Sequence, residues 1–167
     1  MRSRRRLLGC ALAWPFASGC ASTRVVQQWS SPDYVAPRFE RIMVLGISRQ
    51  ASMRRAFEDE FVIKLKATGV DAVPSYRFIA ENGPVEEPRL REAVKQAGAA
   101  GAWSGYYDPP TVYQYDVFVS ETSLFDAKKD QLVWSGTVET QDPRDIKKEL
   151  SRYVDTVIEA LKKRNLL

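Results

Sequence analysis

Ile42-Met43-Val44-Leu45 is apolar at four consecutive positions and is closed by Gly46 and Ser48, so whatever it forms must be covered on both faces. A run of this length, rich in branched side chains and ended by turn residues, reads as a central strand within Phe39 to Ile47. The segments after it read as strand and helix in alternation. Met53, Phe57, Phe61 and Leu65 recur every four residues and predict a helix from Ala51 to Thr68, with Gly69 just past its end. Its opposite face is expected in solvent, pairing Arg54 with Glu58, Arg55 with Asp59 and Glu60 with Lys64.

A second strand is expected at Val70 to Val73, ended by Pro74, with a loop at Asn82-Gly83-Pro84. Pro88 suits the first turn of a shorter helix whose stripe is Leu90, Ala93, Val94 and Ala97, with Gly98 as its stop. Ala100 to Tyr106, Val112 to Phe125 and Leu132 to Thr140 read as strands, the last two joined as a hairpin through Asp126 to Asp130. Asp142-Pro143 is the expected N-cap of a closing helix carrying Ile146, Leu150, Tyr153, Val157 and Leu161. The order β-α-β-α-β-β-β-α predicts a single-domain α/β sandwich, a mixed sheet covered by helices, over residues 39–167.

The N-terminus follows different rules. Arg2 to Arg6 precede an apolar run from Leu7 to Ala17, the layout of an export signal. About eleven helical residues span about 16 Å, half of a ~30 Å hydrocarbon core, so a permanent span is disfavoured. Ala17-Ser18-Gly19-Cys20 supplies small residues before a thiol and resembles the lipobox of bacterial lipoproteins. The resemblance implies cleavage after residue 19 and acylation of Cys20, with several acyl chains giving stable anchoring. Ala17 stands where lipoboxes favour leucine. Leu7-Leu8-Gly9-Cys10 fits that local pattern better, but cutting there leaves almost no apolar region before the site. Ser3 to Leu8 also resembles a twin-arginine signal, and both export routes stay open. By the lipoprotein sorting rule, Ala21 rather than aspartate after Cys20 implies the outer membrane, with the domain at its periplasmic face.

Removing residues 1–19 also changes the charge. The chain has 25 basic and 21 acidic residues; Arg2, Arg4, Arg5 and Arg6 leave with the signal and no acid does, so 21 basic residues face 21 acidic ones. A neutral domain gives no electrostatic reason to bind nucleic acid. Only Cys20 then remains, so no disulfide framework is expected. Residues 20–38 read as the lipidated terminus and a tether. Trp29, Tyr34 and Val35 are costly to expose, so part of that stretch, Val25 to Trp29, is expected to pack as an edge strand or against the domain.

Catalytic signals are sparse. The chain has no histidine, which removes the commonest general base and transition-metal ligand, and lipidation would consume the remaining thiol. Gly98, Gly101 and Gly105 lack the spacing of a phosphate loop. Glu58-Asp59-Glu60 point about 100° apart on a helix and read as a solvated face. Distant carboxylates such as Asp108, Asp116 and Glu121 could still meet as a hydrolase pair. No catalytic residue, metal site or cofactor is therefore assigned. Tyr106 to Tyr115 holds four tyrosines around Pro109-Pro110. It is either an ordinary proline-broken loop with its rings in the core, or a contact surface through Tyr106, Tyr107, Pro109, Pro110 and Tyr113.

Several segments in order resemble a family of small bacterial outer-membrane lipoproteins without assigned activity. They are Trp29 to Tyr34, Arg41 to Ile47, Arg54 to Phe61, Gly69 to Tyr76, Glu121 to Asp126 and Leu132 to Gly136. The topology is similar, more loosely, to domains of the curli secretion channel, of penicillin-binding-protein activators and of the Tol-Pal translocation protein's amino-terminal part. These likenesses imply a non-enzymatic domain that contacts other envelope proteins, with self-association open to it. The alternatives are a ring-forming accessory subunit of an export apparatus and a carboxylate-based envelope hydrolase.

Overall fold

The computed structural model describes residues 22–35, 38–80, 85–106, 117–143 and 145–167. Along the chain lie β1 (Ser22–Ser30), β2 (Arg41–Ile47), α1 (Ala51–Ala67), β3 (Asp71–Pro74), α2 (Glu87–Gln96), β4 (Gly101–Tyr106), β5 (Val117–Asp126), β6 (Gln131–Gln141) and α3 (Ile146–Lys163). The strands form one mixed sheet in the order β1-β6-β5-β4-β2-β3. β2 is parallel to β3 and β4, as the helical crossovers require, and the remaining pairs are antiparallel. The α/β sandwich read from the sequence is thus the fold, with an added strand at the N-terminal edge.

β2 is buried as its composition demands, and alternation divides its side chains between two cores. Ile42 and Val44 face α1 and α3, while Met43 and Leu45 face α2. The first core is aromatic. Phe57 lies 4.9 Å from Phe61, Phe61 lies 5.1 Å from Trp103, and Trp103 stacks 5.8 Å from Trp134. Tyr153 of α3 completes the group at 6.0 Å from both phenylalanines. Its hydroxyl, set against Ser120 and Thr122, is pushed up from its ordinary value chiefly by burial. The strands leave room for these rings: a Cβ on Gly105 would sit 2.7 Å from Phe57, and one on Gly136 would run into the Trp134 indole.

The smaller core joins Met43, Leu45, Val73 and Ala102 to Ala93, Val94 and Ala97 of α2 and the residue after it. α2 begins with Pro88 in its first turn, and Gly98 beyond its end has φ +61°. Gly69 likewise follows α1 with φ +90°, the left-handed conformation expected past a helix end.

Three local expectations are corrected. The N-cap of α3 is Asp145, whose carboxylate accepts from the Lys147 and Lys148 amides; Asp142 instead turns the chain with φ +50°. Arg54 and Glu58 are 2 % and 0 % exposed rather than solvated, because they bond inward. Glu60 does pair with Lys64, at 3.3 Å, but Asp59 accepts from the Tyr76 hydroxyl, over whose ring Arg55 lies.

Of the residues read as a tether, nine form β1, so the packing expected at Val25 to Trp29 extends to both sides of it. Tyr34 then stacks 6.1 Å from Phe39, donates to Asp126 at 3.1 Å and carries Lys129 over its ring at 4.9 Å. Trp29 and Val35, by contrast, stay 47 % and 87 % exposed.

Burial and the bond to Asp126 push the Tyr34 hydroxyl up to about 12. The unfolded phenol ionises near about 10, so the folded state favours the neutral form. The resulting stability is complete below about pH 10 and disappears as pH rises through the folded value. Tyr34→Phe should cost about 1 kcal/mol near about pH 8 and less near about pH 11.5. Urea midpoints of parent and variant must converge on that alkaline side; a constant gap would show that the bond is not the cause.

Candidate functional site

α1 and α3 cover one whole face of the sheet, but α2 covers only the β3-β2-β4 half of the other. Register places Val117, Val119, Glu121 and Ser123 of β5 beside Gln141, Glu139, Thr137 and Ser135 of β6, and these beside Ser22, Arg24, Gln27 and Trp29 of β1. All of them point to the uncovered half.

Where α2 ends and this open half begins there is a groove of about 700 Å3, lined by Leu45, Ile47, Leu90, Val94, Ala102 and Phe125. Phe125 is 39 % exposed along it. Such a volume is typical of binding sites, and Ser104 of β4 and the charged Glu87, Arg91, Lys95, Lys128 and Asp130 line it with these apolar groups. Arg91 spans the mouth: its guanidinium donates to Glu87 Oε1 and Asp130 Oδ2, both at 2.6 Å, tying α2 to the β5–β6 turn. The two carboxylates hold Arg91 firmly protonated, with its pKa raised further above its ordinary value. This arrangement can take an apolar side chain and frame it with charge.

Next along β5 lies a smaller hollow of about 220 Å3, walled by Trp29 and floored by Gln27, Glu121, Ser123, Ser135 and Thr137. The third polar assembly is closed to solvent. Glu58 Oε1 accepts from Arg54 Nε at 2.9 Å, Ser75 Oγ at 2.7 Å and the Gly46 amide at 3.0 Å, and Oε2 accepts from the Tyr76 amide at 3.0 Å. Arg54 Nη2 donates to Ser75 Oγ and to the Ile79 carbonyl. With every described polar atom engaged inward, the cluster fixes α1 to β2 and to the turn after β3.

Cys20, Tyr107, Pro109, Pro110 and Tyr113 lie outside the described residues, as do Asp108 and Asp116. Tyr106 ends β4, and its backbone pairs with Ile47. Glu121, the remaining carboxylate of the suspected hydrolase set, is exposed on the open face. Among the described residues no three acidic or thiol groups gather as a metal site, and no helix is long and apolar enough to cross a membrane.

The helix coverage and strand order define a class: α/β sandwiches with one fully covered and one half-open sheet face. No protein-family model matches this sequence, and no curated protein does. Among solved structures, the PelC dodecamer from Paraburkholderia phytofirmans aligns with a TM-score of 0.58 and 17% identity, over 85% of this chain and 97% of that one. A point variant of the same PelC dodecamer gives 0.57 and 16%, over 83% and 96%. A lipoprotein from Neisseria meningitidis gives 0.47 and 14%, over 74% and 98%. At these identities the likeness to PelC is one of fold.

Proposed function

We propose that this chain is a lipid-anchored, non-enzymatic periplasmic module at the outer membrane, acting by protein contacts in envelope assembly or maintenance. Acyl chains on Cys20 hold it to the membrane, and its first partner is a second copy of itself. The observation that carries the reading is the apolar groove beside α2 on the half-covered face of the sheet. Exposed Val26, Val117 and Val119 elsewhere on the same molecule supply apolar projections for such a groove. A groove on one copy that receives a projection from the next makes a head-to-tail contact, which closes into a ring where the rotation between copies divides a full turn. The dodecameric state of PelC, whose fold this chain shares, favours that geometry and with it a ring-forming accessory role in export.

The test uses the native lipoprotein in mild detergent and the soluble Cys20→Ser protein. Palmitate labelling should require Cys20. Light scattering should show a discrete oligomer that Phe125→Glu, at a half-exposed position, reduces to monomer without lowering the melting temperature by more than a few degrees. A native protein that stays monomeric and crosslinks to nothing in intact cells would sink the reading. So would turnover of envelope sugars or peptides by the Cys20→Ser protein.

A further inference from the structure

We propose that the hollow walled by Trp29 is a glycan-binding site, taking one ring of an uncharged or N-acetylated oligosaccharide against the indole. Two registered rows build it. Trp29 pairs with Ser135 and Ser135 with Ser123; Gln27 pairs with Thr137 and Thr137 with Glu121. Strand spacing sets these side chains about 4.8 Å apart across the sheet and about 6.8 Å along it, a rigid grid on the scale of a sugar ring.

The chemistry of the grid selects the ligand. Serine and threonine hydroxyls both donate and accept, glutamine offers both functions at its amide, and Glu121 accepts. That set matches a molecule whose edge is a row of hydroxyls. The indole supplies a flat apolar wall with a polar N–H at its margin, suited to the C–H face of a pyranose. No cation lines the hollow and one carboxylate does, so phosphate-bearing ligands such as nucleic acid or lipid headgroups are repelled. A protein anchor would want a desolvated apolar socket, which the neighbouring groove has and this polar floor lacks. Trp29 meanwhile keeps 47 % of its surface in solvent, while Trp103 and Trp134 are 1 % and 0 % exposed. The hollow and the groove share no lining residue, so Trp29→Ala leaves the groove's lining intact.

The same contrast supplies the readout. In the soluble Cys20→Ser protein, Trp29 is the solvent-exposed indole among the described residues, and its emission reports the hollow. Titration with the β-1,4-linked hexamer of N-acetylglucosamine, and with cellohexaose in parallel, should give a saturable shift in emission in the millimolar range or below. Trp29→Ala should weaken binding, followed by calorimetry, roughly tenfold or more, and Glu121→Gln roughly threefold, with melting temperatures unchanged. The proposal is overturned if neither sugar binds the parent protein, or if Trp29→Ala binds as well as the parent. An emission shift that follows protein concentration alone would assign the face to a second copy and overturn it equally.

Discussion

Glu58→Ala should lower the unfolding free energy by about 3–5 kcal/mol, the cost of leaving a buried guanidinium without its anion. The two side chains are 2 % and 0 % exposed, so water cannot replace the lost carboxylate. The substitution also strands the Gly46 and Tyr76 amides and the Ser75 hydroxyl, which donate to Glu58. α1 would then be released from β2 and from the turn after β3 together. Arg54→Met with Glu58→Leu should cost less than Glu58→Ala alone, because an apolar pair leaves no charge behind. Urea unfolding of the Cys20→Ser protein decides it: a loss under about 1 kcal/mol for Glu58→Ala would show that the network is not what holds α1.

Trp103→Ala should cost a similar about 3–5 kcal/mol by opening a cavity beneath the central strands. The ring is 1 % exposed between Phe61 and Trp134, and its position on β4 lies between β2 and β5. Neither neighbour can fill the space without leaving its own contacts. Trp103→Phe should cost far less than the alanine, since the indole N–H has no hydrogen-bond acceptor among the described residues. Removing an unpartnered buried donor offsets part of the lost area. Equal melting temperatures for the two variants would contradict this account of the core.

Most of the architecture was legible because it rests on periodicity. Ile42 to Leu45 declared a strand buried on both faces, and Met53, Phe57, Phe61 and Leu65 declared the stripe of α1. What escaped were contacts made across the fold. An i,i+4 Arg54–Glu58 pair looks the same whether its helix face meets water or Ser75, and Ser75 arrives from 17 residues beyond Glu58. Asp142 and Asp145 are both plausible caps in sequence; only the carboxylate bonding of Asp145 separates them. The groove was half visible. Leu90 and Val94 stood out as a stripe, but Phe125 comes from a strand more than thirty residues on, and nothing local says that α2 stops short of it. Trp29 was expected to hide on composition alone, and its exposure depends on the bare half of the sheet.

The two margins of that sheet are unlike, and this limits what can be added to them. β3 has four residues and ends in Pro74, which has no amide to donate. β1 has nine residues and a single irregularity between Val25 and Gln27. Strand addition is therefore open on one side and obstructed on the other. When the β1 of a second molecule joins it, the composite sheet presents β3 at both ends. Pairing of two copies through this margin stops at two and cannot propagate into a fibre.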